Sequence, residues 1–387
     1  MGKTTCAAAT ALHAARQGLR TLVMSSDPAH SLADALDRLI GPEPEEVAPL
    51  LFAQEVDLYY SMKKHWGHMR ELLLLVFKWQ GVNEIAAEEL AAIPSMGEGS
   101  ALLWLDHVYH SGDYDLIIID SAPTGETLTF LTLPQVTEWW LTKAFPFQKL
   151  AIKGLGLAVR TTTGIPLDKA YNELKQLFER MRAINEILSD STTSSIRLVM
   201  NPEKMVIQEA QRAYTYLQLY GYGIDAAIVN RILPRPESGG SGGWEEYLDS
   251  QDRYLDEIEA NFFPLPILRI PHQRREVFGI PRLEEIGETL YGDRNPAEVF
   301  YSEPTYQMKK EDKDYVLNVR LPFVDGADYS ARQFGDQLVI EVDNQRRNYL
   351  LPQFLGYYAL QGTRIKDGWL EARFVEAGAA DEDDSQG

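Results

Sequence analysis

Gly2-Lys3-Thr4-Thr5 opens the chain ahead of an alanine-rich run from Cys6 to Ala15. Glycine, lysine and a hydroxyl at the start of a helix can hold phosphate. Backbone N–H groups cradle the anion, Lys3 reaches the outer phosphates, and Thr4 offers a hard oxygen to Mg2+. Alone, the triplet reads better as an ordinary polar helix start. A second feature supports the phosphate reading: Asp120 closes the apolar run Leu116-Ile117-Ile118-Ile119, where a strand-end carboxylate can support a metal shell. The loop Ser121-Ala122-Pro123-Thr124-Gly125 follows in the place where a γ-phosphate would be sensed. Asp27, just beyond the short apolar run Thr21–Ser25, fits a helix cap. His30 carries no preferred role.

These residues need elements to position them. Residues 4–17 are predicted to be helical, with Gly18 as the left-handed stop, and Thr21–Ser25 to be a strand. The uninterrupted run at residues 116–119 suits a parallel sheet covered on both faces. Ile196–Met200, Ala226–Val229 and Ile267–Ile270 read as further short strands, and helical patterns fill much of residues 58–112 and 135–190. Strands alternating with helices predict a doubly wound, mostly parallel α/β sheet with a helical subdomain. Near residues 293–305 the pattern changes to period two, as in Tyr315–Leu321 and Gln337–Val342, with turns at Asp325-Gly326 and Asp367-Gly368. A C-terminal antiparallel β-sandwich is therefore predicted. The domain division expected is residues 1–297, residues 298–376, and an acidic disordered tail at residues 377–387.

Composition narrows the function classes. The chain has 387 residues, 45 % hydrophobic and 24 % charged, the mix of a folded globular protein. With 37 basic against 57 acidic residues its net charge is −20, which disfavours nucleic acid as a partner. No apolar run approaches the ~20 residues of a membrane span, and no basic-then-apolar leader opens the sequence. One cysteine, Cys6, rules out an internal disulfide framework or a multi-cysteine metal site within one chain. A cytoplasmic protein is expected. His65 and His68, one helical turn apart, read as surface residues.

Ser26-Asp27-Pro28-Ala29-His30-Ser31-Leu32-Ala33-Asp34-Ala35 resembles the switch I signature of the ArsA family, which holds arsenical pump-driving ATPases and the guided-entry ATPases for tail-anchored membrane proteins. Asp120-Ser121-Ala122-Pro123-Thr124-Gly125, with Leu128 and Leu133-Pro134, is similar to that family's switch II. Asn201-Pro202-Glu203-Lys204-Met205, Val229-Asn230-Arg231-Ile232-Leu233-Pro234, and Pro264-Leu265-Pro266 leading to Pro271 and Glu276 resemble its later motifs. The resemblance spans roughly residues 1–292. It implies a P-loop ATPase using ATP and Mg2+, with Gly2, Lys3, Thr4 and Thr5 on the phosphates and Thr4 on Mg2+. Asp120 would support the Mg2+ shell, Asp27 would orient or deprotonate water, and Pro123 and Gly125 would sit at the nucleotide. Asn230 would read adenine beneath a cover from Pro271 to Phe278 that includes Glu276. Glu203 would reach across a homodimer.

Three departures accompany the resemblance. The family's phosphate loop reads G-K-G-G-V-G-K-T, and Met1 stands at the Val position; the expectation is a GTG codon taken as the start, with a strand and half the phosphate cradle upstream. The family's switch II His is Glu126, and the C-x-x-C pair that binds zinc between subunits in the eukaryotic guided-entry ATPases is absent, so no zinc is expected. Arsenite needs about three soft thiolates, which one cysteine cannot supply, so arsenite is disfavoured as cargo. Met62, Trp66, Met69, Leu72, Leu73, Val76 and Phe77 recur at helical spacing and read as the core of a helical subdomain or as a groove for a hydrophobic client helix. Trp139-Trp140 and Phe145-Pro146-Phe147 add apolar area. Residues Leu321-Pro322, Gly335–Ile340 and Asp367–Phe374 resemble the small heat-shock (α-crystallin) domain fused to ArsA-like ATPases. The principal expectation is a dimeric ATPase coupling nucleotide state to a hydrophobic client. The rivals are a non-hydrolysing scaffold with a degenerate phosphate loop and an anion-pump motor.

Overall fold

A computed structural model describes residues 2–27, 31–57, 60, 61, 64, 96–121, 167–235, 243–324 and 329–376. In chain order the elements are α1 (Lys3–Arg16), β1 (Thr21–Ser25), α2 (Ser31–Leu36), β2 (Glu45–Ala48), β3 (Leu51–Glu55), α3 (Met96–Ser111) and β4 (Leu116–Asp120). There follow α4 (Leu167–Ser189), β5 (Ile196–Met200), α5 (Lys204–Leu219), β6 (Ile224–Ile232), α6 (Glu245–Phe262), β7 (Ile267–Pro271) and α7 (Ile280–Tyr291). Seven strands complete the chain: β8 (Tyr306–Glu311), β9 (Asp314–Arg320), β10 (Tyr329–Phe334), β11 (Gln337–Val342), β12 (Gln345–Leu350), β13 (Tyr358–Lys366) and β14 (Trp369–Glu376). Two compact units result, Gly2–Ile187 with Gln273–Glu298, and Leu188–His272 with the chain from Val299 on.

In the first unit β3, β1 and β4 run parallel in the order β2-β3-β1-β4, with β2 antiparallel at one edge. Every residue of β1 is buried, as a central parallel strand requires. Ala8, Ala9, Ala11 and Ala14 of α1 are wholly buried, and their small side chains let the helix lie close to its neighbours. Gly287 of α7 marks the closest approach. A Cβ there would fall 2.9 Å from the Ala9 carbonyl oxygen, so only glycine fits. Trp104 of α3 is buried against Leu22 and Met24, and its Nε1–H donates to Ser61 Oγ at 2.8 Å. β2 and β3 were not anticipated: Leu51-Phe52-Ala53 is a short run that passes into Gln54 and Glu55, which are polar yet buried.

The second unit contains the parallel sheet β5-β6-β7 and two antiparallel sheets, β10-β11-β12 and β13-β14-β9-β8. The antiparallel sheets enclose a core that includes Leu317, Val319, Leu338, Ile340, Leu370 and Phe374. This is the expected β-sandwich. Asp367 and Gly368, both at positive φ, turn β13 into β14 as a two-residue hairpin demands. The expected turn at Asp325-Gly326 lies outside the described residues. Leu219, at the end of α5, belongs to the sandwich core, and its carbonyl accepts from Arg347 Nη1 (3.2 Å) and Tyr349 Oη (2.5 Å). Asp225, fully buried on β6, is paired with Arg197 of β5 and accepts the Phe300 N–H at 3.2 Å. Its charge is thereby balanced on two sides. Among the described residues, no helix is long and apolar enough to cross a membrane.

Candidate active site

Three residues in register close the first sheet at its C-terminal edge: Glu55, Ser25 and Asp120, on β3, β1 and β4. Ligands of parallel α/β sheets gather at this edge. The N-terminus of α1 lies beside it. Gly2 precedes the helix at φ 86°, a left-handed conformation that suits glycine, and no acidic residue occupies the first turn. The positive end of the helix is left without a carboxylate of its own, and Lys3 adds a full charge there. A cleft of about 420 Å3 opens at this point. Of the sequence-predicted residues, Gly2, Lys3, Thr4, Thr5, Asp27, Glu276 and Phe278 line it.

Asp120 is 2 % exposed, and burial pushes its carboxyl up to about 6 from an ordinary value of 3.8. A hydrogen bond from Thr4, the charge of Lys3 and a bond from Ser25 offset the shift in part, while the negative Asp27 adds to it. An incompletely compensated buried carboxylate beside a threonine hydroxyl is an all-oxygen donor set. It fits Mg2+, which takes one or two protein oxygens and completes its shell with waters and phosphates. Thr4 would hold such an ion and Asp120 would back its shell; the ion would supply charge neutralisation for a phosphate. Cys6 is 2 % exposed, and burial followed by the Asp120 charge pushes its thiol up to about 12. A thiol so protonated is neither nucleophile nor ligand at neutral pH.

Asp27 is held from two sides. Its N–H donates to Ser25 Oγ at 3.2 Å, and its Oδ2 accepts from Ser31 Oγ at 3.1 Å. Ser31 also bonds Thr4 Oγ1 at 3.0 Å. The Ala33 N–H of α2 is taken by Glu55 Oε1 at 2.8 Å, so the end of β3 anchors the helix that carries Ser31. The Gly279 N–H donates to the Ala35 carbonyl at 2.9 Å, which ties α2 to the Glu276–Gly279 segment. Ser31, Asp34 and Ser121 line the cleft, and Glu55 braces it, although none had been assigned a role. Ser31, Asp34 and Ser121 sit inside the motifs already singled out; only the sheet register reveals Glu55.

In the second unit Asn201, Asn230 and Pro271 stand at or near the C-terminal ends of β5, β6 and β7. Asn230 is buried, and its Oδ1 accepts the Arg231 N–H at 2.8 Å. Glu203 precedes α5 in extended conformation without a side-chain capping bond, and its carboxylate is exposed. Pro123, Gly125 and His30 lie outside the described residues, as do Glu126, the Met62–Phe77 stripe apart from Lys64, and the Trp139–Leu150 stretch.

The profile of the family described as "Anion-transporting ATPase" matches residues 1–292. The chain belongs to this family, the ArsA ATPases. It is accordingly an ATPase of a P-loop, ATP-hydrolysing class. An "HSP20-like domain found in ArsA" matches residues 312–374, within the sandwich. The chain is 35 % identical to a putative arsenical pump-driving ATPase 1 of Aquifex aeolicus over 92 % of each chain. It is 35 % identical to a putative arsenical pump-driving ATPase of Chlorobaculum tepidum over 97 % of this chain and 93 % of that one. ATPase ASNA1 homolog 1 of Paramecium tetraurelia is 26 % identical over 75 % of this chain and 89 % of its own length.

Proposed function

We propose that this ArsA-family ATPase hydrolyses ATP with Mg2+ as a homodimer and uses its nucleotide state to bind and release a hydrophobic client protein or helix. The observation that carries the catalytic part is the convergence of Lys3, Thr4 and Asp27 on one cleft at a helix N-terminus, with Asp120 buried beside them. The amides of Gly2 to Thr5 and the Lys3 ammonium bind and orient the phosphates. Asp27 accepts a proton from water or holds it in line with the γ-phosphate, the role of a positioned base. Glu276 and the neighbouring Phe278 cover the base. Pro271, Asn230 and Glu203 complete the reading, with Asn230 on adenine and Glu203 facing the partner's nucleotide. Pro123 and Gly125 contact phosphate in the same reading.

The division into residues 1–297, 298–376 and 377–387, and a cytoplasmic location, belong to the same proposal; the single cysteine fits a reducing compartment. Relatives named as arsenical pump-driving ATPases favour a second reading, a motor for an anion pump. The chemistry of Cys6 speaks against arsenite, since its one thiol is buried and protonated. A net charge of −20 speaks against nucleic acid. Asp27→Asn decides the catalytic reading: ATP binding stays nearly intact while turnover falls ~10²-fold or more. Equal loss of both would make Asp27 a structural residue, and a wild-type chain that binds ATP without hydrolysing it would favour the scaffold. Client binding is tested by Leu73→Ser with Phe77→Ser. Loss of helix crosslinking with an unchanged melting temperature supports a groove, and a large fall in stability makes those residues core.

A further inference from the structure

The segment that carries Asp27 and Ser31 is held at both ends by the C-terminal edge of the first sheet. It leaves the sheet at Ser25, whose Oγ accepts the Asp27 N–H at 3.2 Å. It becomes α2 at Ser31, and there the next strand takes over: Glu55 Oε1 accepts the Ala33 N–H at 2.8 Å. Ala33 stands in the first turn of α2, where backbone N–H groups have no acceptor within the helix. A carboxylate suits that place, because negative charge is favoured at a helix N-terminus and the bond is charge-assisted. Glu55 is only 4 % exposed, and an acid so buried is retained where it is served. The strand itself does not need the carboxylate. Leu51–Glu55 pairs with β1 through its backbone, and the Glu55 N–H donates to the Gly41 carbonyl at 3.1 Å.

We propose that Glu55 is a positioning residue for ATP hydrolysis, which caps α2 from the end of β3 and so fixes the pose in which Asp27 faces the cleft. The first turn of α2 lines the cleft with Ser31 and Asp34. Ser31 Oγ lies 3.1 Å from Asp27 Oδ2 and 3.0 Å from Thr4 Oγ1, so the placement of α2 is passed on to both. A helix of six residues does not hold its own pose. Its far end is tied by the Gly279 N–H on the Ala35 carbonyl, and Glu55 ties the near end. Without that tie, α2 swings Ser31 away from Thr4 and Asp27, while Lys3 and the α1 amides still receive phosphate. The loss therefore falls on turnover rather than on nucleotide binding. The inference rests on the role proposed above for Asp27.

The test compares the full chain with Glu55→Met, which keeps the bulk without an acceptor, Glu55→Gln, which keeps one acceptor oxygen, and Asp27→Asn. Glu55→Met lowers kcat about tenfold, the scale of one hydrogen bond to a charged group, and leaves KM for ATP within about twofold. Glu55→Gln loses less, about threefold, and carries the comparison alone if Glu55→Met does not fold. In the Asp27→Asn background Glu55→Met costs less than in wild type, because both changes act through one group. A second readout needs no turnover. Amide hydrogen exchange of the nucleotide-free protein speeds up about tenfold across residues 33–36 in Glu55→Met and stays unchanged in β1. Unchanged kcat, a rise in KM that matches the fall in kcat, or an undiminished loss in the Asp27→Asn background would overturn the proposal. So would exchange that rises equally in β1, which would make Glu55 a residue of general stability. If wild type does not hydrolyse ATP, or Asp27→Asn is fully active, the catalytic reading beneath the proposal fails; unchanged exchange at residues 33–36 would instead mean that the cap fails.

Discussion

The N-terminus of α1 and the C-terminus of α5 are both helix ends with unpaired backbone groups, and the two are finished in opposite ways. At α1 a left-handed glycine, a lysine and no capping side chain leave the amides facing a cleft of about 420 Å3. At α5 the Leu219 carbonyl receives Arg347 and Tyr349 from the β-sandwich, while Tyr220 and Tyr216 reach Gln345 and Asp343. A helix end left open with a lysine beside it is arranged for an anion, whereas one met by side chains of its own chain is an anchor. The same contrast holds for buried acids. Asp225 is matched by a guanidinium and an N–H and shows the pattern of a structural charge. Asp120 has only hydroxyls and a nearby lysine, and burial raises its affinity for a proton. The site keeps polar groups incompletely served, and the anchor serves them.

The largest effect should come from the open end. Lys3→Ala removes the charge that reaches the phosphates, and kcat/KM for ATP should fall by ~10²–10³-fold, the scale for losing one preorganised electrostatic contact. The melting temperature of the nucleotide-free protein should fall only slightly, because the charge of Lys3 offsets the burial of Asp120 only in part. A comparable fall in stability would erase the contrast between open and anchored ends.

Asp120→Asn sharpens the contrast between the two acids. Its folded value of about 6 exceeds the ordinary 3.8, so the folded state binds this proton more tightly than the unfolded chain. The favourable contribution is fully present below the unfolded value and disappears as pH rises through about 6. Above that pH the ionised acid costs the metal-free protein up to about 3 kcal/mol. Asp120→Asn should therefore raise the stability of the metal-free protein at pH 8 and do so progressively less toward pH 4. Thermal unfolding across that range, without nucleotide or Mg2+, measures it. The same variant should lose Mg2+-dependent ATP turnover. A variant less stable at pH 8 would count Asp120 with Asp225.

Much of this arrangement is legible in sequence. Thr21–Ser25, Leu116–Asp120 and Gln337–Val342 appear as strands because uninterrupted or alternating apolar residues leave few other solutions. Gly2-Lys3-Thr4, Asp27 and Asp120 carry side chains whose chemistry is narrow enough to suggest phosphate and metal. What stays hidden is set by non-local pairing. Glu55 becomes a brace only because β3 lies beside β1 in register with Ser25, and nothing in Gln54-Glu55 marks a buried strand end. Ser31 lies within a conspicuous motif, yet its bridge between Thr4 and Asp27 depends on two segments 27 residues apart in sequence. The anchorage of α5 is equally silent. Leu219 and Arg347 are 128 residues apart, and neither has a local pattern naming the other.

The smallest effect tests that anchor. Gly221 follows α5 at φ +88°, and a Cβ there would fall 2.9 Å from Arg347 Nη1. Gly221→Ala therefore meets two penalties, a left-handed backbone and displacement of the guanidinium from the Leu219 carbonyl. The first amounts to roughly 1–2 kcal/mol. The second should be smaller, because Arg347 is a flexible side chain and Tyr349 Oη still reaches the same oxygen. Arg347→Met isolates the second term: it should lower stability by roughly 0.5–1.5 kcal/mol, the net worth of one hydrogen bond. Combining the two changes should give less than their sum, since the methionine removes the guanidinium that the alanine methyl would displace. Urea unfolding of the two single variants and the double closes the cycle. Full additivity would mean that Arg347 does not contact Gly221 in solution.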